Sequence, residues 1–178
     1  AGLRFKNAVY RVRKAIGKEV ILFEDNIYRF NRDLDYEEDA ETFERMIELA
    51  QNSSEVKRRI HHFEAALKLY KGMYLPDVHQ DWVLVRRARL RTRYLDSLLE
   101  LARLYMEEKQ YNLAAGVVDR AINEEHSYEE AYQLGMQIYD ATDNPAGVQR
   151  LYDQCCNVIQ TEWGREPGKN TRQLYETL

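Results

Sequence analysis

Lys6, Asn7, Tyr10, Arg11, Arg13 and Lys14 lie within one short segment, and Tyr28 and Arg29 follow soon after. Cationic side chains at this density suit phosphate, because each neutralised phosphate releases a condensed counterion. Arg11 and Lys14 can also meet guanine, and Asn7 can pair with adenine, where a helix enters a major groove. Tyr10 offers a ring for stacking and a hydroxyl for phosphate, whereas Arg13 sits on the flank and can instead anchor its own domain. Tyr28 and Arg29 add a further ring and a further cation beside this segment. A solvated basic helix face has the same pattern, and the residues alone leave both readings open. A second basic run holds Arg86, Arg87, Arg89, Arg91 and Arg93, of which Arg86, Arg89 and Arg93 share a helix face. Their expected use is pairing within the chain, for example with acids around Asp35 to Asp39. Docking another domain or touching DNA are the alternatives.

Other chemistry is sparse. Cys155 and Cys156 are adjacent, and neighbours rarely bridge without strain, so both read as buried small residues of a helix. His61 and His62 point about 100° apart on a helix, which excludes a metal pair and places one at a core edge. No metal site and no cofactor are expected. There is no GxxxxGK[ST] loop, no GxGxxG after a strand, no HExxH and no GxSxG elbow, so the chain is expected not to be an enzyme. The acidic stretch Asp33 to Asp39 lacks the glycine and spacing of a calcium loop and reads as a solvated connector.

The elements that must carry the basic residues follow from periodicity. Phe5, Val9, Val12 and Ile16 form a helical core stripe, so Leu3 to Ile16 reads as an amphipathic helix stopped by Gly17 in the manner of a C′ glycine. Val20–Phe23 and Ile27–Phe30 alternate as strands, closed by Glu24-Asp25-Asn26, with Asn26 suited to a left-handed turn position. Beyond Asn31 the period is helical: 40–51, 55–70 with Ser53 or Ser54 as N-cap, a loop over 71–78, then 81–109, kinked or divided. Helices over 112–123, 128–142, 145–163 and 170–178 complete the reading. A shift of 34 residues superposes Tyr105 on Tyr139, Ala114 on Val148, Val118 on Tyr152 and Ala121 on Cys155. That is the tetratricopeptide period.

Charge divides the same way. Residues 1–32 hold eight Lys/Arg against three Asp/Glu, and the remainder 18 against 27, so the overall −4 hides two opposite fields. A hydrophobic content of 44% with 31% charged residues argues against disorder. No apolar run approaches the roughly 20 residues of a membrane span, and no signal peptide is visible, so the expected setting is cytoplasmic. The chain opens without a methionine, which reads as a fragment of a longer protein.

Several separated motifs in order resemble one family. Leu69-Tyr70-Lys71-Gly72-Met73-Tyr74-Leu75-Pro76-Asp77, then Trp82, Arg86 and Leu90, resemble the bacterial transcriptional activator domain of antibiotic-regulatory-protein type regulators. So do Glu130-Ala131-Tyr132, Arg150-Leu151-Tyr152, Glu166-Pro167, Thr171-Arg172 and Leu174-Tyr175. In that family the domain follows a winged helix of the response-regulator type. Val9 to Gly17 resembles its recognition helix, and Ile27-Tyr28-Arg29-Phe30 the second strand of its wing, although Ile27 stands where the family has glycine. The resemblance implies a mainly α fold: a tetratricopeptide-like helical array (α-α superhelix), residues 33–178, preceded by a partial winged helix of one helix plus a β-hairpin, residues 1–32.

It also implies a transcription regulator fragment. The winged-helix part would bind double-stranded promoter DNA in the intact protein through Lys6, Asn7, Tyr10, Arg11, Arg13, Lys14, Tyr28 and Arg29. The helical domain would contact proteins, RNA polymerase and further copies of itself among them, with Arg86, Arg89 and Arg93 as contact residues. The alternative is a tetratricopeptide-type protein- or peptide-binding scaffold without DNA binding.

Overall fold

A computed structural model describes residues 2–178. They fall into two compact units, one ending at Glu38 and the other spanning Asp39–Leu178.

In the first unit, helix α1 covers Gly2–Ile16. Gly17 ends it at φ 136°, a conformation that L side chains rarely adopt, while its N–H still donates to the Arg13 carbonyl at 3.1 Å. The stop is thus a glycine stop, though not the left-handed helical cap expected. A single 3-10 turn, Lys18–Val20, leads into β1 (Ile21–Glu24), which pairs antiparallel with β2 (Ile27–Phe30). The first strand starts one residue later than its pattern predicts, because Val20 is taken up, buried, by the 3-10 turn. Asp25 and Asn26 both have positive φ, 52° and 63°. This is the two-residue turn whose twist matches a hairpin. Of the expected core stripe on α1 only Val9 is buried, whereas Phe5 is 52% and Ile16 68% exposed. Phe5 meets the edge of Tyr28 at 5.1 Å, and Tyr28 packs on Phe23 at 4.4 Å.

The second unit is entirely helical among the described residues: α2 (Asp39–Asn52), α3 (Val56–Leu69), α4 (Asp81–Glu107), α5 (Tyr111–Glu124), α6 (Glu129–Ala141), α7 (Pro145–Trp163) and α8 (Lys169–Thr177). Each helix packs on the next up to α7, and α2, α4, α6 and α8 also contact one another in a row. This is the stacking of helical hairpins in a tetratricopeptide-type array. The core runs through Phe43, Phe63, Leu98, Leu104, Tyr132, Met136 and Ile159. Two expectations are corrected here. Helix α4 is one unbroken helix, held along its second half by Leu98, Leu101, Ala102 and Leu104 against its neighbours. Neither Ser53 nor Ser54 caps α3; the N-cap is Glu55, whose N–H donates to Ser53 Oγ at 3.3 Å before the helix begins.

The 34-residue period holds in the turns as well as in the core. Lys109 and Asp143 are both left-handed, with φ 58° and 53°. Gln110 N donates to the Tyr105 carbonyl at 2.7 Å, and Asn144 N to the Tyr139 carbonyl at 2.9 Å. Both are the six-to-one bond of a Schellman ending, repeated one period apart. Ala114, Ala121 and Cys155 are fully buried at the helix contacts. Gly135 lets α7 approach α6 closely, since a Cβ there would lie 2.6 Å from Leu151 Cδ1.

Candidate nucleic-acid interface and protein-contact surfaces

Helix α1 presents one cationic face. Lys6, Asn7, Tyr10, Arg11 and Lys14 lie on its outer side, and Tyr10 is 65% exposed. The helix has no acidic residue in its first turn, and Arg13 and Lys14 stand in its last, where a cation is favoured by the helix dipole. Arg4 belongs to the same surface: with Asn7, Ala8, Arg11 and Val12 it lines a shallow depression. Its spacing of three and seven from Asn7 and Arg11 was the available signal. Arg13 is placed differently. Its Nε and Nη2 donate to the Ile21 carbonyl at 3.1 and 2.5 Å, tying α1 to β1. That is the anchoring role its flanking position allowed.

The hairpin separates its two candidates. Tyr28 faces α1 with Phe23 and Phe5, half-buried, so its ring is part of the packing of this unit. Arg29 pairs with Leu22 on the opposite face and is exposed.

On α4 every arginine of the second basic run has a partner inside the helical unit. Glu44 of α2 is the hub: its carboxylate, only 14% exposed, meets Arg86 at 2.7 Å, Arg89 at 2.9 Å and Arg93 at 3.9 Å. Glu48 lies 3.9 Å from Arg93. The carboxylates thus stand on α2, one and two turns into the helix, beyond the 35–39 stretch that the sequence pointed to. Arg91 donates to Glu125 at 2.6 Å and to the Glu124 carbonyl. Burial raises the Glu125 carboxyl, but Arg91 and Ser127 outweigh it and hold the group below its usual range.

Arg87 explains the tyrosine- and glycine-containing loop before α4. Its guanidinium donates to the carbonyls of Tyr74 at 2.5 Å, Leu75, and Val78 at 2.9 Å. The loop needs this clamp because Leu75 sits at φ 45°, costly for a bulky side chain, and Gly72 at φ 123°. Tyr70 stacks on Tyr94 at 4.0 Å, and Phe43, Tyr70, Tyr74, Leu75 and Leu90 help to line a cavity of about 230 Å³.

The C-terminal motif residues form a second polar junction. Glu129 accepts from Gly168 N at 2.6 Å, Thr171 Oγ1 at 2.7 Å and Arg165 at 3.0 Å. Thr171 is fully buried and also accepts from Gln133 Nε2. Burial raises the Glu129 carboxyl, but the bonds from Thr171, Gly168 and Arg165 prevail and lower it. The negative charge lies at the start of α8, where unpaired N–H groups favour it. Arg172 pairs with Glu166 at 2.6 Å, and Tyr175 stacks on Tyr152 at 3.9 Å.

Of the histidines, His61 is exposed and His62 half-buried at the core edge. Cys155 is buried, and burial, with the Glu129 charge, pushes its thiol up to about 12. Cys156 is only partly buried. Among the described residues no group of His, Cys, Asp and Glu is placed to hold a metal ion, and no helix is long and apolar enough to cross a membrane.

Among known families, the family model described as bacterial transcriptional activator domain matches residues 38–178. A search among curated proteins finds no match.

Proposed function

The chain belongs to the bacterial transcriptional activator domain family, and on that premise we propose that α1 and the hairpin are the recognition helix and wing of a winged helix that binds promoter DNA in the intact protein. The helical unit then serves protein contacts: self-association, interdomain docking, or recruitment of RNA polymerase. The family sets a role in bacterial transcription regulation, and the cytoplasm is the proposed place of action.

The observation that carries the DNA reading is the α1 face itself. Lys6, Asn7, Tyr10, Arg11 and Lys14 stand on the outer side of a helix tied to its hairpin by Arg13. A helix so presented can lie in a major groove, with its outward side chains on base edges and phosphates. Arg29 on the hairpin extends the cationic surface, and Arg4 joins it. Tyr28 and Arg13 act through packing and anchoring.

The deciding experiment extends the chain upstream to complete the winged helix and titrates it with its own promoter duplex at several salt concentrations. The expected result is log affinity falling linearly with log salt, at a slope of about −0.9 for each phosphate contacted. A slope near zero, or no binding at low salt, overturns the reading and leaves a protein-binding scaffold.

A further inference from the structure

The start of α4 carries a strip that the packing of the helical unit does not use. Trp82, Val85 and Arg89 follow at spacings of three and four, so they share one face of the helix. They are 60%, 70% and 56% exposed. Arg86 stands one turn beyond Trp82, and Arg93 one turn beyond Arg89. A solvated helix face has no need of an indole beside a valine. Tryptophan and arginine are instead the residues that dominate the centres of protein interfaces.

The charges on this strip are incompletely balanced. Three guanidiniums meet Glu44 and, at 3.9 Å from Arg93, Glu48. Arg86 and Arg89 each reach Glu44 through one terminal nitrogen, although a guanidinium carries five donors in a fork shaped for a carboxylate. With two carboxylates for three guanidiniums, Arg89, which is 56% exposed, keeps donors for an anion from outside.

We propose that this strip docks an acidic, apolar segment of a partner protein. Arg89, backed by Arg86 and Arg93, receives a carboxylate, and Trp82 with Val85 covers an adjoining aromatic or aliphatic side chain. The proposal rests on the reading of the helical unit as a protein-contact element and names the chemistry of its partner. Charge complementarity selects the segment, since a basic one meets three arginines. A DNA backbone brings phosphates but nothing apolar for Trp82 and Val85.

The test uses the full chain with Trp163→Phe, which leaves Trp82 as the only tryptophan, panned against a displayed random-peptide library. Enriched peptides should combine Asp or Glu with aromatic or aliphatic residues, and the best of them should change Trp82 emission saturably. Val85→Asp and Arg89→Glu should each weaken that peptide roughly tenfold or more, as removal of a central interface residue does. Both positions are more than half exposed, and unchanged circular dichroism verifies the fold. Enrichment of basic or neutral peptides overturns the proposal. Acidic peptides indifferent to Val85→Asp overturn it too, while leaving protein contact elsewhere on the helical unit standing. No enrichment at all sinks both readings. Self-association abolished by Val85→Asp, or duplex DNA displacing the peptide, assigns the strip to a second copy or to DNA and overturns the acidic partner.

Discussion

Two arginine-rich helices of this chain meet opposite ends. On α4, Arg86, Arg87, Arg89, Arg91 and Arg93 hold the helical unit together: three converge on Glu44, one clamps a strained loop and one fastens the end of α5. On α1, among the described residues, no carboxylate pairs with Lys6, Arg11 or Lys14, and only Arg13 turns inward, onto a carbonyl. The residue types are alike. The difference lies in what the rest of the fold brings opposite them. Helix α2 sets glutamates against α4, and the hairpin offers α1 an aromatic face and one carbonyl. Cations with internal partners hold the fold, even where one of them, such as Arg89, keeps donors to spare, and cations without such partners do not.

Removing the hub should break this contrast most strongly. Glu44→Ala leaves three guanidiniums facing one another across a site where the acid is only 14% exposed. Taking one partner from such a cluster is destabilising because the remaining charges are uncompensated. A loss of roughly 2–4 kcal/mol is expected, at the lower end because Arg89 and Arg93 are partly solvated. A fall in the urea midpoint at unchanged slope measures it. A midpoint within error of the parent would make the cluster on α4 as dispensable to the fold as that on α1.

A smaller effect is expected at Glu129, where the acid serves the fold through neutral donors as well as an arginine. Its carboxyl titrates below the usual value of 4.5 in the folded chain. Its contribution is therefore complete above about pH 4.5 and is lost as pH falls through the lowered folded value. Glu129→Gln should cost roughly 1–2 kcal/mol at neutral pH and flatten the acid limb of the stability profile. A variant that keeps the full acid dependence would assign that limb to Glu125 and its Arg91 partner instead.

These two junctions also mark how far the sequence could be read. The helices of the second unit were legible because Phe43, Ile47 and Ala50, or Ala114, Val118 and Ala121, recur with the helical period and do face the core. The repeat was legible too, down to the residues one period apart. Its turns were not, since Lys109 and Asp143 take a left-handed backbone without the glycine that normally announces it. Glu44 was invisible as a hub because its arginines stand more than 40 residues away, and linear spacing says nothing of distant pairs. Arg87 was missed for a related reason: backbone carbonyls accept its bonds, and a carbonyl leaves no trace in residue type. The α1 stripe shows the converse limit. Periodicity identified the helix, but burial depends on what covers it, and the first unit buries Val9 without enclosing Phe5 or Ile16.

The weakest perturbation of stability is the sharpest probe of the contrast. Arg11→Ala combined with Lys14→Ala removes two cations that hold no carboxylate of the fold. Stability should change by less than about 0.5 kcal/mol for each substitution, as for surface positions without special partners. If the α1 face binds DNA, the same pair should reduce the salt slope of the extended protein by about one for each phosphate no longer neutralised. The two readouts together distinguish the helices. On α4 a single charge change should move the unfolding midpoint, whereas on α1 two should leave it in place and move only the binding. A double variant that unfolds early would show that the α1 cations are structural after all, and one with an unchanged salt slope would remove them from the DNA face.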